Sequence, residues 1–378
     1  MTEARMTPLP YCTGTGGEGD PFVSGSGTAG IAEALAALGE HGGLLRLPAA
    51  RYEIERTLLF SLSSSRISGD VWGYSSDPNG VFEGMHGVKL RLKGVGHAAI
   101  RVGKDRTLGG NMITDLGIQG DLVGMDTRSR FSLLEPGANA GILFDAVRTD
   151  QCAYRKLSFC GLGVAVAATG EAELDACRFD DCNTDGCAVG VYFSPRASYY
   201  AQIHRCIFAD NPYWGVYVDG RGKFIHNLEV NECSFVRNGG GFSEDALPRP
   251  AALTMLGVSN CAVERNVFDD PGTFWYYDPT DGKNEQRKPQ KQPMPAVILE
   301  GRGNRVRDNL FSRCKGAALI VSGDGNVLMN NITDGDVILS GNGCYVSGLA
   351  LRGDARLILR GADDAEIYGV PEEKIVRE

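Results

Sequence analysis

Acids and aromatic rings crowd four stretches of this sequence: 180–187, 209–214, 237–250 and 269–295. Among them they hold Asp185, Tyr213, Trp214, Glu244, Asp245, Trp275, Tyr276, Tyr277 and Asp278, so two of the three tryptophans fall here. Flat rings suit the apolar face of a sugar ring, and carboxylates suit its hydroxyls and acid/base chemistry. A second group sits between these stretches. Gly215–Gly222 (GVYVDGRG) matches Ala296–Gly303 (AVILEGRG), which sets Asp219 and Glu300 at equivalent outward positions with Leu256 one coil from each. At about 4.8 Å per coil their backbones would stand roughly 9.6 Å apart, near the upper limit for an inverting acid/base pair. Glycosidic chemistry needs one acid protonated and one ionised. The preferred pair is Asp219 with Glu244 or Asp245, with Asp185 and Glu300 in reserve. Tyr192, Trp214, Tyr217, Arg221, Trp275 and Tyr276 are the expected substrate contacts.

Plainer readings stand beside each of these. Every acid named also reads as a solvated surface carboxylate, and Tyr192 with Tyr217 as an exterior stack. Trp214 and Trp275 read equally as groove cover or a subunit contact. His204 and His226 fall at polar exterior strand positions. The basic, proline-flanked segment Gly282–Gln292 reads as a solvated excursion or as a lid. The glycines of Gly14–Gly19 do not lie between a strand and a helix, so no nucleotide site is expected.

The elements that would position these residues come from an internal repeat. Leu174–Phe179 (LDACRF) is followed by Ile203–Phe208 (IHRCIF), Val230–Phe235 (VNECSF), Val263–Phe268 (VERNVF) and Val306–Phe311 (VRDNLF), with a weaker copy at Leu328–Ile332. Tyr154–Phe159 and Thr114–Gly120 are looser versions upstream. The pattern reads as a strand running into a turn, with its first and sixth residues facing inward. Its fourth residue, Cys or Asn, is a stacked interior position that satisfies the coils above and below. The units recur at roughly 20 to 43 residues, which suits coils with loops of unequal length. Between them lie alternating strands such as Gly215–Asp219, Ala296–Glu300 and Ala318–Ser322, with Val or Leu facing in. The expected fold is all-β: a single-stranded right-handed parallel β-helix, a solenoid with a short N-terminal capping helix at Thr28–Leu38. A doubly wound α/β fold is set aside, because no helical periodicity follows Gly39. The expected divisions are an extension over 1–27, the cap over 28–41, the β-helix over 42–361 with insertions at 237–250 and 269–295, and a charged tail over 362–378. That tail should cover, or hang from, the far end.

Composition bounds the partners. The 43% hydrophobic content suffices for a core, and the 51 glycines are about twice the usual share of roughly 7%, which reads as frequent turns. A net charge of −9 argues against nucleic acid, whose phosphates attract Lys and Arg. No apolar run is long enough for a membrane helix, and Met1–Thr15 lacks a signal-peptide core. The compartment is therefore read as cytoplasmic, or extracellular if a leader has been removed. The 11 cysteines are not in metal-binding CxxC pairs, so free buried thiols are expected, with no metal and no cofactor.

The opening LRLPAARYEI (45–54), the RISGD around Ser68–Asp70 and the Asn/Cys-Phe ladder resemble the pectin-lyase-like superfamily of carbohydrate-active β-helix proteins over roughly 42–360. Gly323–Val327 and Asp278–Gly282 are loosely similar to inulin fructotransferases, whose catalytic acids find no residue-by-residue match. Asn183–Gly186 is similar to the NTDG opening of a polygalacturonase site, but the later elements of that site do not follow. The resemblance implies an enzyme that cleaves or rearranges a glycosidic bond in an oligo- or polysaccharide, with a fructan as a named substrate and a homotrimer as the expected assembly. A calcium-dependent lyase is disfavoured, because the aspartates are spread across coils. The other reading is a non-catalytic carbohydrate-binding or structural β-helix, of the adhesin or tail-fibre type.

Overall fold

Each hexad turns a corner. In the computed structural model, which describes residues 2–5, 27–39, 42–70, 87–103, 107–120, 130–145, 148–241, 249–274, 290–362 and 364–378, the third residue of every copy takes a left-handed backbone. Ala176, Arg205, Glu232, Arg265, Asp308 and Asn330 all have φ between 49° and 57°. A side chain in that region costs about 1 kcal/mol or more, so something must offset it. In the Asn copies the fourth residue does so: turned inward by the corner, Asn266 and Asn309 bond the rungs on either side. The hexad is therefore strand, corner, strand rather than one strand entering a turn. Gln202–His204 and Ile207–Ala209 flank one such corner.

The chain divides into two compact units, 1–188 with 194–196, and 189–193 with 197–378. In the first, Thr2–Arg5, Gly43–Leu47, Arg66–Gly69, Met112–Gln119 and Ala153–Cys160 stack in parallel register. The opposite ladder runs through Leu58–Phe60, Ile100–Val102, Ala140–Phe144 and Val164–Ala168. Tyr154 fills the space between, its ring 5.0 Å from Phe144 and 5.2 Å from Phe179. Its buried hydroxyl donates to Asn111 Oδ1 at 2.9 Å. The helix is Ile31–Ala37, shorter than the periodicity suggests. Left-handed Ala29 and Gly30 delay its start and Gly39 closes it, while Ile31, Ala34 and Leu35 bury its apolar stripe.

The second unit is more regular. Val189–Phe193, Trp214–Asp219, Ala251–Ser259, Val297–Arg302, Leu319–Ser322 and Val337–Ser340 form one parallel ladder. The hexads build the other. Inside it Phe208, Phe235, Phe268 and Phe311 stack with centroids 4.9, 4.7 and 4.9 Å apart. Beside the rings runs the expected amide ladder: Asn266 Nδ2 donates to Asn309 Oδ1, and Asn309 Nδ2 to Asn331 Oδ1, both at 3.0 Å. Cys233 caps it, its backbone N–H donating to Asn266 Oδ1 at 2.8 Å. A second column joins Asn304 to Asn326 at 3.1 Å. The cysteines of the described residues are free, and all but Cys314 are buried. The charged tail adds rungs, since Glu366–Tyr368 pairs with Tyr345–Ser347 and Ile375–Arg377 with Leu357–Leu359. Among the described residues no helix is long and apolar enough to cross a membrane.

Candidate functional site

The strand Trp214–Asp219 alternates inward valines with outward polar or aromatic residues. Val216 and Val218 enter the core, whereas Tyr217 faces out and stacks on Tyr192 of the preceding rung, with centroids 5.3 Å apart. Position 215 must be glycine, because a Cβ there would meet the Phe235 ring at 2.8 Å. The indole of Trp214 lies 4.6 Å from Tyr217 and donates through Nε1 to the Arg249 carbonyl at 3.4 Å. These contacts remove all three rings from water: Trp214 is 1% exposed, Tyr217 2% and Tyr192 7%. Three of the expected substrate contacts, Tyr192, Trp214 and Tyr217, are thus buried rather than open. Burial, with the Asp219 charge nearby, pushes the Tyr217 hydroxyl up to about 12.

Asp219 ends this strand and Arg221 holds it. Arg221 donates Nε to Oδ1 and Nη2 to Oδ2, each at 2.8 Å, and its backbone N–H to Oδ1 at 3.3 Å. These hydrogen bonds outweigh partial burial and hold the carboxyl below its ordinary range. Asp219 is therefore ionised at neutral pH, fit for a base, a nucleophile or charge stabilisation, and unfit for a proton donor.

The next rungs are irregular here. Asp219 opposes Leu256, then Met255 opposes Leu299 and Val258 opposes Gly301, so Leu256 and Gly257 bulge against the single residue Glu300. Gly257 has φ 63°, and a Cβ on it would lie 2.7 Å from the Arg221 backbone nitrogen. Glu300 is exposed, and its charge joins that of Asp219 in raising the Arg221 pKa.

The second unit thus gathers Tyr192, Trp214, Tyr217, Asp219, Arg221 and Glu300. Asp185 is not among them: it belongs to the first unit, where it ends Asn183–Asp185 opposite Cys160. The 180–187 stretch consequently includes strand, Asp180 ending Arg178–Asp180 and then Asn183–Asp185, rather than being connecting loop throughout. Glu244, Asp245, Trp275, Tyr276, Tyr277 and Asp278 lie outside the described residues. Among the described residues, no three His, Cys, Asp or Glu side chains converge as metal ligands.

The outer face of the hexad ladder holds a second polar group that the sequence reading passed over. His204, Asn231, Glu264 and Arg307 form one outward column. Gln202, Glu229, Ala262 and Arg305 form its neighbour. His204 is half-buried, as an exterior position allows, with Nε2 3.4 Å from Asn231 Nδ2. Glu264 is 5% exposed and meets Arg307 at 2.9 Å, Arg305 at 3.5 Å and Arg265 at 3.6 Å. The available signal was the second position of four successive hexads, which carries His, Asn, Glu and Arg.

A family model for the right-handed beta helix region matches residues 94–268. No curated protein sequence matches the chain. Solved structures do. A cysteine-to-alanine mutant of DFA-IIIase from Arthrobacter chlorophenolicus A6, in complex with DFA-III, superposes with a TM-score of 0.67 at 16% identity, over 92% of each chain. The same organism's DFA-IIIase without its lid, in complex with GF2, gives 0.67 at 15% identity, covering 100% of this chain and 98% of that one. At such identities the likeness establishes the fold: a right-handed parallel β-helix, as the hexads predict.

Proposed function

We propose that this right-handed β-helix is a carbohydrate-active enzyme that cleaves or rearranges a glycosidic bond in a fructan-type oligosaccharide. The observation that carries the reading is Asp219, a carboxylate held ionised at a strand end beside Arg221, with Glu300 at the bulge beyond. Full-length likeness to DFA-IIIase structures holding DFA-III and GF2 supports the choice of substrate class. An ionised carboxylate stabilises the positive charge that develops at the anomeric carbon, as base or as nucleophile. Glu300, about 9.6 Å away along two rungs, is the proton donor in the inverting version of this reading. Glu244 and Asp245 are the other acids to try. Product profiling on fructans and their oligosaccharides tests it: Asp219→Asn should cost about 10²- to 10⁴-fold in rate with folding intact. Wild-type turnover that survives this substitution would end the proposal.

A second reading, a non-catalytic sugar-binding or structural β-helix, is favoured by the pairing of both Asp219 oxygens with Arg221. It predicts no product from any sugar tested.

A further inference from the structure

Three successive rungs of the outward column on the hexad ladder each hold a buried polar atom that makes no hydrogen bond among the described residues. They are Asn231 Oδ1, Glu264 Oε1 and Arg307 Nε: acceptor, acceptor, donor. Asn231 and Glu264 are each 5% exposed. A buried group without a hydrogen bond is costly, and here three fall in register, with Arg307 Nε having only the Asp308 carboxylate at 3.8 Å among the described residues.

The amide of Asn231 cannot turn round to repair this. Its Nδ2 is 3.4 Å from Glu229 Oε2 and 3.4 Å from His204 Nε2. Reversed, it would set Oδ1 against the Glu229 carboxylate, which Gln202 already orients at 3.2 Å. Glu264 Oε1 has only the Arg305 Nε at 3.5 Å. That guanidinium is 56% exposed, so it is a cover that can swing away. Ala262, between Glu229 and Arg305 in the neighbouring column, keeps that side of the face low.

The charges decide what fits. A cation would meet Arg265, Arg305 and Arg307, and an anion would meet Glu229 and Glu264. A neutral hydroxyl both donates and accepts, which is what two acceptors and a donor require. We propose that this column binds the hydroxyls of a saccharide ring, at a site separate from Asp219. The inference does not rest on the Asp219 chemistry, and its test reads binding rather than turnover.

Calorimetric and saturation-transfer titrations with fructose and with a fructan trisaccharide should detect binding to the wild-type protein and to Asp219→Asn alike. Asn231→Ala, which removes one acceptor, should weaken it roughly fivefold. Ala262→Phe should abolish it by filling the face without touching a polar atom. A thermal melt checks that each variant folds, and Asn231→Ala carries the test if Ala262→Phe does not. Failure of both probes to bind the wild-type protein overturns the proposal. So does binding that Asn231→Ala and Ala262→Phe leave unchanged, or that only Asp219→Asn removes.

Discussion

Asn309 is the place to test whether the interior amides hold the coils together. Its side chain makes four hydrogen bonds. Oδ1 accepts from the Asn266 backbone N–H at 2.9 Å and from Asn266 Nδ2 at 3.0 Å, while Nδ2 donates to the Val263 carbonyl at 2.9 Å and to Asn331 Oδ1 at 3.0 Å. Asn309→Ala breaks all four and strands the Asn266 N–H in a site 1% exposed, while the Val263 carbonyl keeps the Arg307 N–H of the parallel ladder. At about 1–3 kcal/mol for the stranded N–H, with a smaller loss from the amide pairs and the second bond to Val263, the cost is about 2–4 kcal/mol. Asn309→Cys should cost less. At the matching corner Cys233 Sγ accepts from Cys206 N–H at 3.4 Å and donates to the Ile203 carbonyl at 3.5 Å. A thiol therefore serves the main-chain N–H that alanine would strand, and a loss of about 1–2 kcal/mol is expected. Urea unfolding gives the energies, and amide exchange at Asn266 shows whether the loss is local. If Ala and Cys agree within about 0.5 kcal/mol, an ordinary surface-sized effect, the ladder is not what stabilises the corners.

Three other outcomes follow from the geometry. Arg221→Ala should let the Asp219 carboxyl rise towards its ordinary range, read by NMR titration of its side-chain carbon. Because the folded value is depressed, the stability that Arg221 adds through Asp219 is present above the ordinary carboxylate range and lost as pH falls through the folded value, so wild type and variant should converge in acid. Phe235→Ala, which removes a ring stacked at 4.9 Å and 4.7 Å on its neighbours, should cost about 3–5 kcal/mol in chemical denaturation, and Phe235→Leu markedly less. Gly257→Ala should destabilise by about 1–3 kcal/mol, from a left-handed backbone and a Cβ 2.7 Å from the Arg221 nitrogen. It should also shift the Asp219 titration, which a purely remote packing defect would leave in place.

The solenoid could be read from the hexads because a stacked repeat writes each interior position many times over. Apolar first residues, Cys or Asn at the fourth and Phe at the sixth are each forced by contact with the same residue one rung away. Phase was harder. Leu174–Phe179 matches the later hexads by eye, yet it pairs with Thr149–Tyr154 at a corner where Cys177 follows Cys152. Exposure was harder still. Alternation sends Tyr192 and Tyr217 outward, but outward is not the same as open: Tyr217 packs between Tyr192 and Trp214, and both tyrosines are buried. The polar column of His204, Asn231, Glu264 and Arg307 was visible as letters. Its meaning lies in which atoms lack partners, and that depends on rotamers rather than residue types.

The pairing of Asp219 with Arg221 was the more legible omission. An Asp followed two residues later by a residue whose N–H it accepts is an Asx-turn, and Asp219-Gly220-Arg221-Gly222 has the composition for one. A turn of that kind needs no guanidinium, however, and no disturbance of the next rung. Here the following strand breaks register at Leu256–Gly257, and only glycine at 257 lets the Arg221 backbone approach. Bulges in otherwise regular ladders re-aim side chains and are enriched beside active sites. The bulge, the glycine and the bidentate pair act as one device that fixes a guanidinium among Tyr217, Asp219 and Glu300. A surface ion pair contributes too little stability to account for such an arrangement, and the proposed glycosidic chemistry would give Asp219 and Arg221 a role beyond what they add to the fold.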